Sequence, residues 1–474
     1  MIFTSFTFLI FFTIVFAAYW LCKNNKARLY ILLAASTLFY GWWDWRFLGL
    51  IGLVIGVSWL SALVMARPSA SPRTQNMALA AGVIVSLIVL GIFKYTGFFA
   101  DSFAELFSKL GLRADMPTLR IILPVGISFY IFQAISYMAD VRRGVLAAET
   151  RLARVALYIA FFPQLVAGPI VRAASFFPQM DRPKRLSRRA LVVGLRAFAV
   201  GFVYKALLAD NIAPLVDGVY GNLDAYSNGA VILATFAFAA QIYFDFAGYS
   251  LMAIGIACLF GYHIPRNFNF PYASTSITDF WRRWHMSLSF WLRDYLFIPL
   301  GGSRHGKFAY YRNLLTTMIL GGLWHGAAWT FVAWGLLHGL ALVVHKVWTT
   351  YLKAPVASLV RLPSILGWLA GFALTQAVVL AGWAIFRAGS TADALSALGA
   401  LSGLREGGPQ TLGLMALLVI GVLALDHILG VRRWRPNWRF MDRPELWWAG
   451  AGAAIALALS IYPLTAAPFV YFQF

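Results

Sequence analysis

Histidine is the residue type with the clearest capacity for catalysis in this sequence, which contains seven histidines. His325 ranks first, because glycines surround it in the run Gly321-Gly-Leu-Trp-His-Gly326, which predicts a break between helices. A neutral imidazole at such a position can take a proton from a hydroxyl group as that oxygen attacks an activated acyl group. The alternative, which position alone leaves open, is a structural histidine that a neighbour's hydrogen bond satisfies.

The other histidines have weaker settings. His285 lies on the apolar face of a predicted helix, and from the residues alone a core histidine is the favoured interpretation there. His338 and His345 are two helical turns apart and share a face, but no carboxylate lies between them, so a metal site is weakly supported. The remaining three, one in a Gly-rich basic loop and two without special context, are His305, His263 and His427.

One carboxylate, Asp245, stands among aromatic residues in a long apolar run. It can orient a histidine, pair with an arginine, or make a hydrogen bond between helices. The motifs of serine hydrolases, P-loop proteins, zinc proteases and dinucleotide-binding folds are missing from the sequence. Cys22 and Cys258 both lie in or beside apolar runs, so no structural disulfide and no metal site is expected.

Composition excludes a soluble globular protein. Of the 474 residues, 61% are hydrophobic and 12% are charged, whereas soluble domains are about 45–50% apolar and about 25% charged. The aromatic content of 16% excludes a disordered chain. The net charge of +21 would indicate nucleic acid in a soluble protein. In a membrane protein it indicates basic cytoplasmic loops, so no nucleic-acid partner is expected.

The sequence therefore predicts an all-α, polytopic membrane protein with about 11 to 12 transmembrane helices. Residues 1–21 carry no charge and the basic residues Lys23, Lys26 and Arg28 follow, which predicts a first helix with its N-terminus outside. An acidic loop with Asp210, Asp217 and Asp224 is also expected outside. The predicted membrane segments are 3–22, 29–43, 47–66, 77–97, 119–139, 155–171, 190–209, 228–261, 313–345, 364–386, 410–430 and 446–468.

Three segments depart from simple spans. Residues 155–171 have basic clusters at both ends and contain Pro163 and Pro169, which predicts a re-entrant or broken element. Residues 313–345 are too few for two full spans and predict a helical hairpin with one short limb, broken at 321–326 near His325. Apolar residues recur at helical spacing from 281 to 295, which predicts one amphipathic helix at the membrane. No hydrophilic linker divides the chain, so a single domain over 1–474 is expected.

Eight blocks in order along the chain resemble the membrane-bound O-acyltransferase family, and within it the alginate O-acetyltransferase branch. The chain departs from that branch at two positions of the motif Asp-Phe-Ser-Gly-Tyr-Ser-Asp: Ala247 replaces the first serine and Leu251 replaces the final aspartate. The blocks are Leu123-Pro-Val-Gly-Ile-Ser-Phe-Tyr130, Leu165-Val-Ala-Gly-Pro-Ile170, Tyr243-Phe-Asp-Phe-Ala-Gly-Tyr-Ser250, Ser276-Ile-Thr-Asp-Phe-Trp-Arg-Arg-Trp-His-Met-Ser287, Trp291-Leu-Arg-Asp-Tyr-Leu296, Gly321-Gly-Leu-Trp-His-Gly326, Trp383-Ala-Ile-Phe-Arg387 and Tyr471-Phe-Gln-Phe474.

The resemblance implies that His325 is the catalytic histidine and His285 the second active-site histidine, which replaces the core interpretation of His285. Supporting roles are assigned to Asp245, Trp324 and Trp284. The resemblance also implies a ring of helices around a thin core, through which acyl donor and acceptor meet. Polysaccharide-modifying members work with an extracytoplasmic partner that places the acyl group on the final polymer.

We therefore expect an enzyme of the bacterial inner membrane that takes acetyl from a cytoplasmic thioester such as acetyl-CoA. It would deliver this group toward a secreted polysaccharide, alginate or a cellulose-like polymer, with a periplasmic partner and no resident cofactor. The basic segment 282–312 either attracts the donor's phosphates or is an ordinary cytoplasmic loop, the favoured interpretation. A transporter or flippase without chemistry and a scaffold for exopolysaccharide export remain open as alternatives.

Overall fold

The computed structural model describes residues 1–112, 122–355, 363–431 and 444–461. Most of these residues are helical, and within these ranges the sole β contact is an isolated bridge between Tyr226 and Gln410. The prediction of an all-α fold is thereby confirmed. Both cysteines, Cys22 and Cys258, are free.

Helix length and composition support a multi-pass membrane protein. Six helices in the described ranges are long and apolar enough to cross a membrane, and three more are apolar but shorter. Several other predicted segments correspond to helices that are shorter or more polar, such as Asn25–Gly41 with 17 residues. The six long helices are Phe47–Met65, Pro72–Lys109, Arg188–Gly221, Asn228–Leu259, Trp329–Pro355 and Ser364–Arg387.

Contacts divide the chain into two compact units. The first comprises residues 1–198 and 249–265, and the second comprises residues 199–248 and 266–474. The single-domain interpretation stays a prediction. In the first unit the helices are Phe6–Leu21, Asn25–Gly41, Phe47–Met65, Pro72–Leu90, Thr96–Lys109, Ile127–Arg142, Leu152–Ala160, Phe162–Leu165 and Ala173–Asp181, with a π-helical turn at Gly91–Tyr95.

The second unit holds every candidate site residue. Helices Arg188–Phe202 and Asn228–Leu259 contribute residues to both units. The helices of the second unit itself are Asp210–Gly221, Ile277–Trp281, Met286–Leu292, Gly306–His325, Trp329–Val347, Ser364–Arg387, Thr391–Ser402, Met415–Val431 and Pro444–Ser460, with π-helical turns at Val203–Ala209, Arg293–Phe297 and Trp348–Leu352 and 3₁₀ turns at Leu223–Ala225 and Pro271–Ala273.

The broken element predicted at 155–171 is present in the first unit. Helix Leu152–Ala160 ends there, a single turn follows at Phe162–Leu165, and the chain then runs without helix to Ala173. All residues from 157 to 171 are buried. Irregular backbone at membrane depth survives where protein covers it, and the burial of this segment meets that requirement.

The hairpin predicted around His325 is also present, with two limbs of similar length. Helix Gly306–His325 has 20 residues and helix Trp329–Val347 has 19, because the first limb begins before the basic residue that was taken as its boundary. The limbs approach closely at two glycines. A Cβ on Gly322 would meet the backbone oxygen of Phe331, and one on Gly335 would come within 2.5 Å of the Met318 oxygen.

Two expectations are wrong. The predicted amphipathic helix over 281–295 is two helices, Ile277–Trp281 and Met286–Leu292, because the backbone turns into the left-handed region at His285. Most of the predicted external acidic loop is helix Asp210–Gly221, with Asp210 buried within it, and Asp224 is exposed in the turn that follows. Charge also predicts an external position for Asp115 and a cytoplasmic one for the basic cluster Arg432, Arg433, Arg435 and Arg439. These residues and the terminal block Tyr471-Phe-Gln-Phe474 lie outside the described residues.

Candidate active site

His325 occupies the last position of the first hairpin limb. Its helix ends at this residue, Gly326 follows in extended backbone, and the second limb starts at Trp329. A Cβ on Gly326 would overlap the ring of Phe331, so glycine is required for the turn to close against the second limb. His325 is only 3% exposed. The glycine-rich run thus fixes the imidazole at a helix C-terminus inside the protein.

His285 reaches the same region from a strained turn. It is fully buried and has a φ of 40°, one of two positive values among the described non-glycine residues. Asn267 anchors the turn, because its backbone oxygen accepts from the Met286 N–H at 2.9 Å and its side-chain oxygen accepts from the Ser287 hydroxyl at 2.6 Å. A left-handed conformation costs a β-carbon-bearing residue about 1–2 kcal/mol, and such strain concentrates at functional sites.

The structure brings the two predicted histidines together. The ring centroids of His285 and His325 are 6.3 Å apart, which lets both imidazoles contact one substrate group. The Trp324 ring touches both, at 5.8 Å from His285 and 4.9 Å from His325. The neutral imidazole is the form that accepts a proton, and burial away from water favours that form.

Aromatic rings line the remaining sides of His325. The centroid of the His325 ring lies 5.0 Å from that of Trp334 in the second limb and 5.5 Å from that of Phe386 in helix Ser364–Arg387. Trp284, for which a supporting role is predicted, packs against other aromatic rings. Its ring centroid lies 4.9 Å from that of Trp383 and 5.7 Å from that of Phe280. Trp284 therefore backs the wall of the site, whereas Trp324 forms part of its lining.

His338 lies among tryptophan rings, which its spacing from His345 did not indicate. The centroid of its ring is 4.8 Å from that of Trp334 and 5.3 Å from that of Trp281. The ring is completely buried, and the described part of the chain offers no hydrogen-bond partner to either nitrogen. Its Nε2 lies against Gly382, where an added Cβ would come within 2.6 Å.

Four indole N–H groups around His338 and the catalytic candidates are also buried without a hydrogen-bond partner among the described residues. Buried polar groups nearly always have a partner, and an indole can only donate. This group, hereafter the tryptophan box, therefore offers donors to the oxygen atoms of a bound molecule or water; its members are Trp281, Trp284, Trp334 and Trp383.

Asp245 forms a buried ion pair with a lysine. The Nζ of Lys205 lies 2.8 Å from Asp245 Oδ1 and donates a hydrogen bond to Asp210 Oδ1 at 2.6 Å, and all three side chains are buried. This ionic triad consists of one cation and two carboxylates. The ion pair links Asp245 to the segment that carries Lys205 and Asp210, and a supporting role of Asp245 at the site stays a prediction.

The other histidines divide by exposure. His305 and His263 are exposed, as expected of surface residues. His427 is buried, with its Nδ1 3.0 Å from the Leu423 oxygen and its ring 4.8 Å from Tyr243. Neighbouring Asp426 accepts hydrogen bonds from the Tyr243 and Tyr204 hydroxyls. Sequence analysis missed this cluster, because Asp426 and His427 lie in an apolar run without a motif.

Comparison with known proteins supports the resemblance. A profile of the membrane-bound O-acyltransferase family matches residues 118–375. The chain is 42% identical to "Probable alginate O-acetylase AlgI" of Azotobacter vinelandii over 82% of its length and 75% of the relative's. It is 37% identical to the protein of that name in Pseudomonas putida over the full length of both. It is 36% identical to "Peptidoglycan O-acetyltransferase" of Helicobacter pylori over 79% of its length and 73% of the relative's.

Proposed function

Because the chain belongs to the membrane-bound O-acyltransferase family, we propose that it moves acetyl from a cytoplasmic thioester to a secreted polysaccharide, using His325 as general base. It is a multi-pass membrane O-acyltransferase, and its relatives are named for acetylation of alginate and of peptidoglycan. The observation that carries the proposal is the placement of His325 and His285, 6.3 Å apart, in one buried aromatic site.

The chemistry needs one base and one oxyanion donor. His325 takes the proton from an acceptor hydroxyl as its oxygen attacks the thioester carbonyl carbon. His285 donates a hydrogen bond to the oxyanion that forms on the carbonyl oxygen. When the carbon–sulfur bond breaks, the thiolate takes the proton from the His325 imidazolium. An ester and a free thiol result, and both histidines return to their neutral forms.

The setting follows from the same reasoning. A thioester made in the cytoplasm and a polymer outside it require an enzyme that spans the bacterial inner membrane, and its N-terminus is expected outside. A periplasmic partner would carry the acetyl group from this enzyme to the finished polymer. Such a partner explains how a site buried within helices serves a large polysaccharide.

The test is the acetyl ester content of exopolysaccharide from cells that carry His325→Ala at a normal protein level. We expect a loss of at least about 100-fold, because a positioned general base contributes about 10²–10⁴ in rate. His305→Ala, which removes an exposed histidine, is the matched control and should acetylate normally. Normal acetylation by the His325→Ala strain would refute the mechanism. Failed export of the polymer would instead favour a scaffold, and absence of thiol release from acetyl-CoA by purified protein would favour a transporter.

A further inference from the structure

A cavity of about 480 Å³ lies in the second unit beside the tryptophan box, and neither the paired histidines His325 and His285 nor the members of the tryptophan box line it. Small-molecule sites occupy roughly 300–1,000 Å³, so this volume suits part of a ligand. Its walls come from the segment around helix Ile277–Trp281 and from both limbs of the hairpin. We call it the basic cavity, for the charges described next.

Two cationic side chains line the basic cavity without forming an ion pair among the described residues. Arg282 and Lys346 both line it, and no carboxylate partner is found for either among the described residues. Asp279, the acidic lining residue, is already held by Arg283, whose Nε lies 2.9 Å from its Oδ2. The cavity therefore has a net positive lining, which favours an anionic ligand.

Hydroxyl groups complete the lining. Ser276, Thr278 and Tyr310 contribute hydroxyl groups to the wall, and the Thr278 hydroxyl lies 2.9 Å from Nδ1 of His345. Thr349 also lines the cavity, but its hydroxyl already donates to the His345 backbone oxygen at 2.9 Å. An arginine fork beside a lysine and several hydroxyl donors is the combination that binds phosphate oxygens. A single cytoplasmic loop exposed to water would supply the cations, but it would not enclose them with hydroxyl donors in a cavity.

The same two segments that form the basic cavity also form the wall of the active site. Trp281, which packs 5.3 Å from His338, immediately precedes Arg282. His338 and His345 lie two turns apart on helix Trp329–Val347, a distance of about 10 Å along its axis. A ligand with its phosphates in the basic cavity can therefore extend its other end along this helix toward His325.

We propose that the basic cavity binds the phosphate groups of the thioester donor, with Arg282 and Lys346 as the anion-binding residues. The identity of that donor rests on the proposed function. The alternative source of the same chemistry is the phosphate of an anionic lipid headgroup, and the experiment separates the two. Arg282 and Lys346 act on donor binding and take no part in the proton transfer at His325.

Binding is tested with coenzyme A titrated into the full-length protein in phosphatidylcholine nanodiscs. Arg282→Gln and Lys346→Gln should each raise the dissociation constant about tenfold, since each removes one charge-assisted contact to phosphate. Arg304→Gln, which removes an exposed cation that does not line the basic cavity, should leave it unchanged. Equal affinity in all three variants would overturn the proposal. So would unchanged coenzyme A binding combined with lost retention of phosphatidylglycerol, because lipid would then be the ligand.

Transfer kinetics distinguish failure of this proposal from failure of the proposed function. With acetyl-CoA, Arg282→Gln should raise KM about tenfold at unchanged kcat. With S-acetyl-N-acetylcysteamine, which lacks phosphates, the same variant should match the wild type. His325→Ala should lose transfer from both donors. An equal effect of Arg282→Gln on both donors would overturn the assignment of the cavity to phosphate, while the His325→Ala result would still test the catalytic role.

Discussion

Gly382→Ala is the sharpest test of how His325 is held in place. Gly382 lies on helix Ser364–Arg387, and its missing side chain leaves the space that the His338 ring occupies. An added methyl would come within 2.6 Å of Nε2 and within 3.4 Å of Cδ2 and Cε1. The His338 ring would then have to shift, and it packs against Trp334, which in turn packs against His325.

The expected effect differs between stability and rate. Overpacking a core costs about 1–3 kcal/mol, and alanine recovers about 1 kcal/mol of helix propensity relative to glycine, so the net loss of unfolding free energy is about 1 kcal/mol. A displacement of about 1 Å at a reacting group costs about 100-fold in rate. We therefore expect kcat to fall about 10- to 100-fold through the chain His338, Trp334, His325, in a protein that remains folded.

The assay is thiol release from acetyl-CoA, combined with thermal unfolding in detergent. Gly367→Ala is the matched control, since it makes the same change on the same helix with no atom within 4 Å of the new methyl. It should be as active as the wild type and equally or more stable. If Gly382→Ala kept its full kcat while it lost stability, the wall formed by His338 and Trp334 would have no part in positioning His325.

Three further predictions follow from the strained turn, the ionic triad and the hairpin. His285→Gly should have a free energy of unfolding about 1 kcal/mol higher than His285→Ala, because glycine tolerates the φ of 40° at this position. Both variants should lose most transfer activity, and equal stability of the two would contradict the strain. Lys205→Met should destabilise the protein by about 3–5 kcal/mol, since two buried carboxylates lose their cation, whereas Asp245→Asn keeps the pair with Asp210 and should cost less; thermal unfolding of both variants checks the order. Gly322→Ala should lower both stability and activity by forcing the hairpin limbs apart, while Gly321→Ala, whose methyl would meet only the flexible Leu292 side chain at 3.1 Å, should be mild in the same assays.

The break at His325 was predictable from sequence because its cause is local. Glycines on both sides of an apolar segment with charged ends leave few alternatives to a helical hairpin. The broken element at 155–171 was predictable for the same reason, through its prolines and its basic flanks. At the hairpin, Gly326 directly follows the end of the first limb. In the broken element, Pro163 lies in the first positions of the single turn Phe162–Leu165 and Pro169 lies in the non-helical run after it.

The turn at His285 was not predictable, because apolar periodicity continues across it. Trp281 and Trp284 precede the turn and Leu288 follows it, at the spacing of one unbroken helix. The left-handed backbone at a histidine depends on Asn267, which binds the turn from another segment. The residues alone favoured a core histidine, and only the family resemblance assigned His285 to the active site.

Contacts between distant segments hid two further features. The His338 ring packs against Gly382 of another helix, and a contact between distant segments cannot be read from the spacing of His338 and His345. Charges in a membrane protein normally mark loops, which is why Asp210 was assigned to one. The triad with Lys205 and Asp245 offsets the cost of burying that carboxylate, and no local pattern announces such a pairing.

In the proposed mechanism, the position of His325 at a helix C-terminus helps it to act as a base in an aromatic site. When the imidazole takes a proton, a positive charge develops beside the last carbonyl groups of helix Gly306–His325. A cation at that end of a helix is stabilised by about 0.5–2 kcal/mol, without a carboxylate that would itself be costly to bury. The glycine turn that ends the hairpin limb thus serves two purposes, since it positions the ring next to His285 and aims the helix dipole at the charge that catalysis creates.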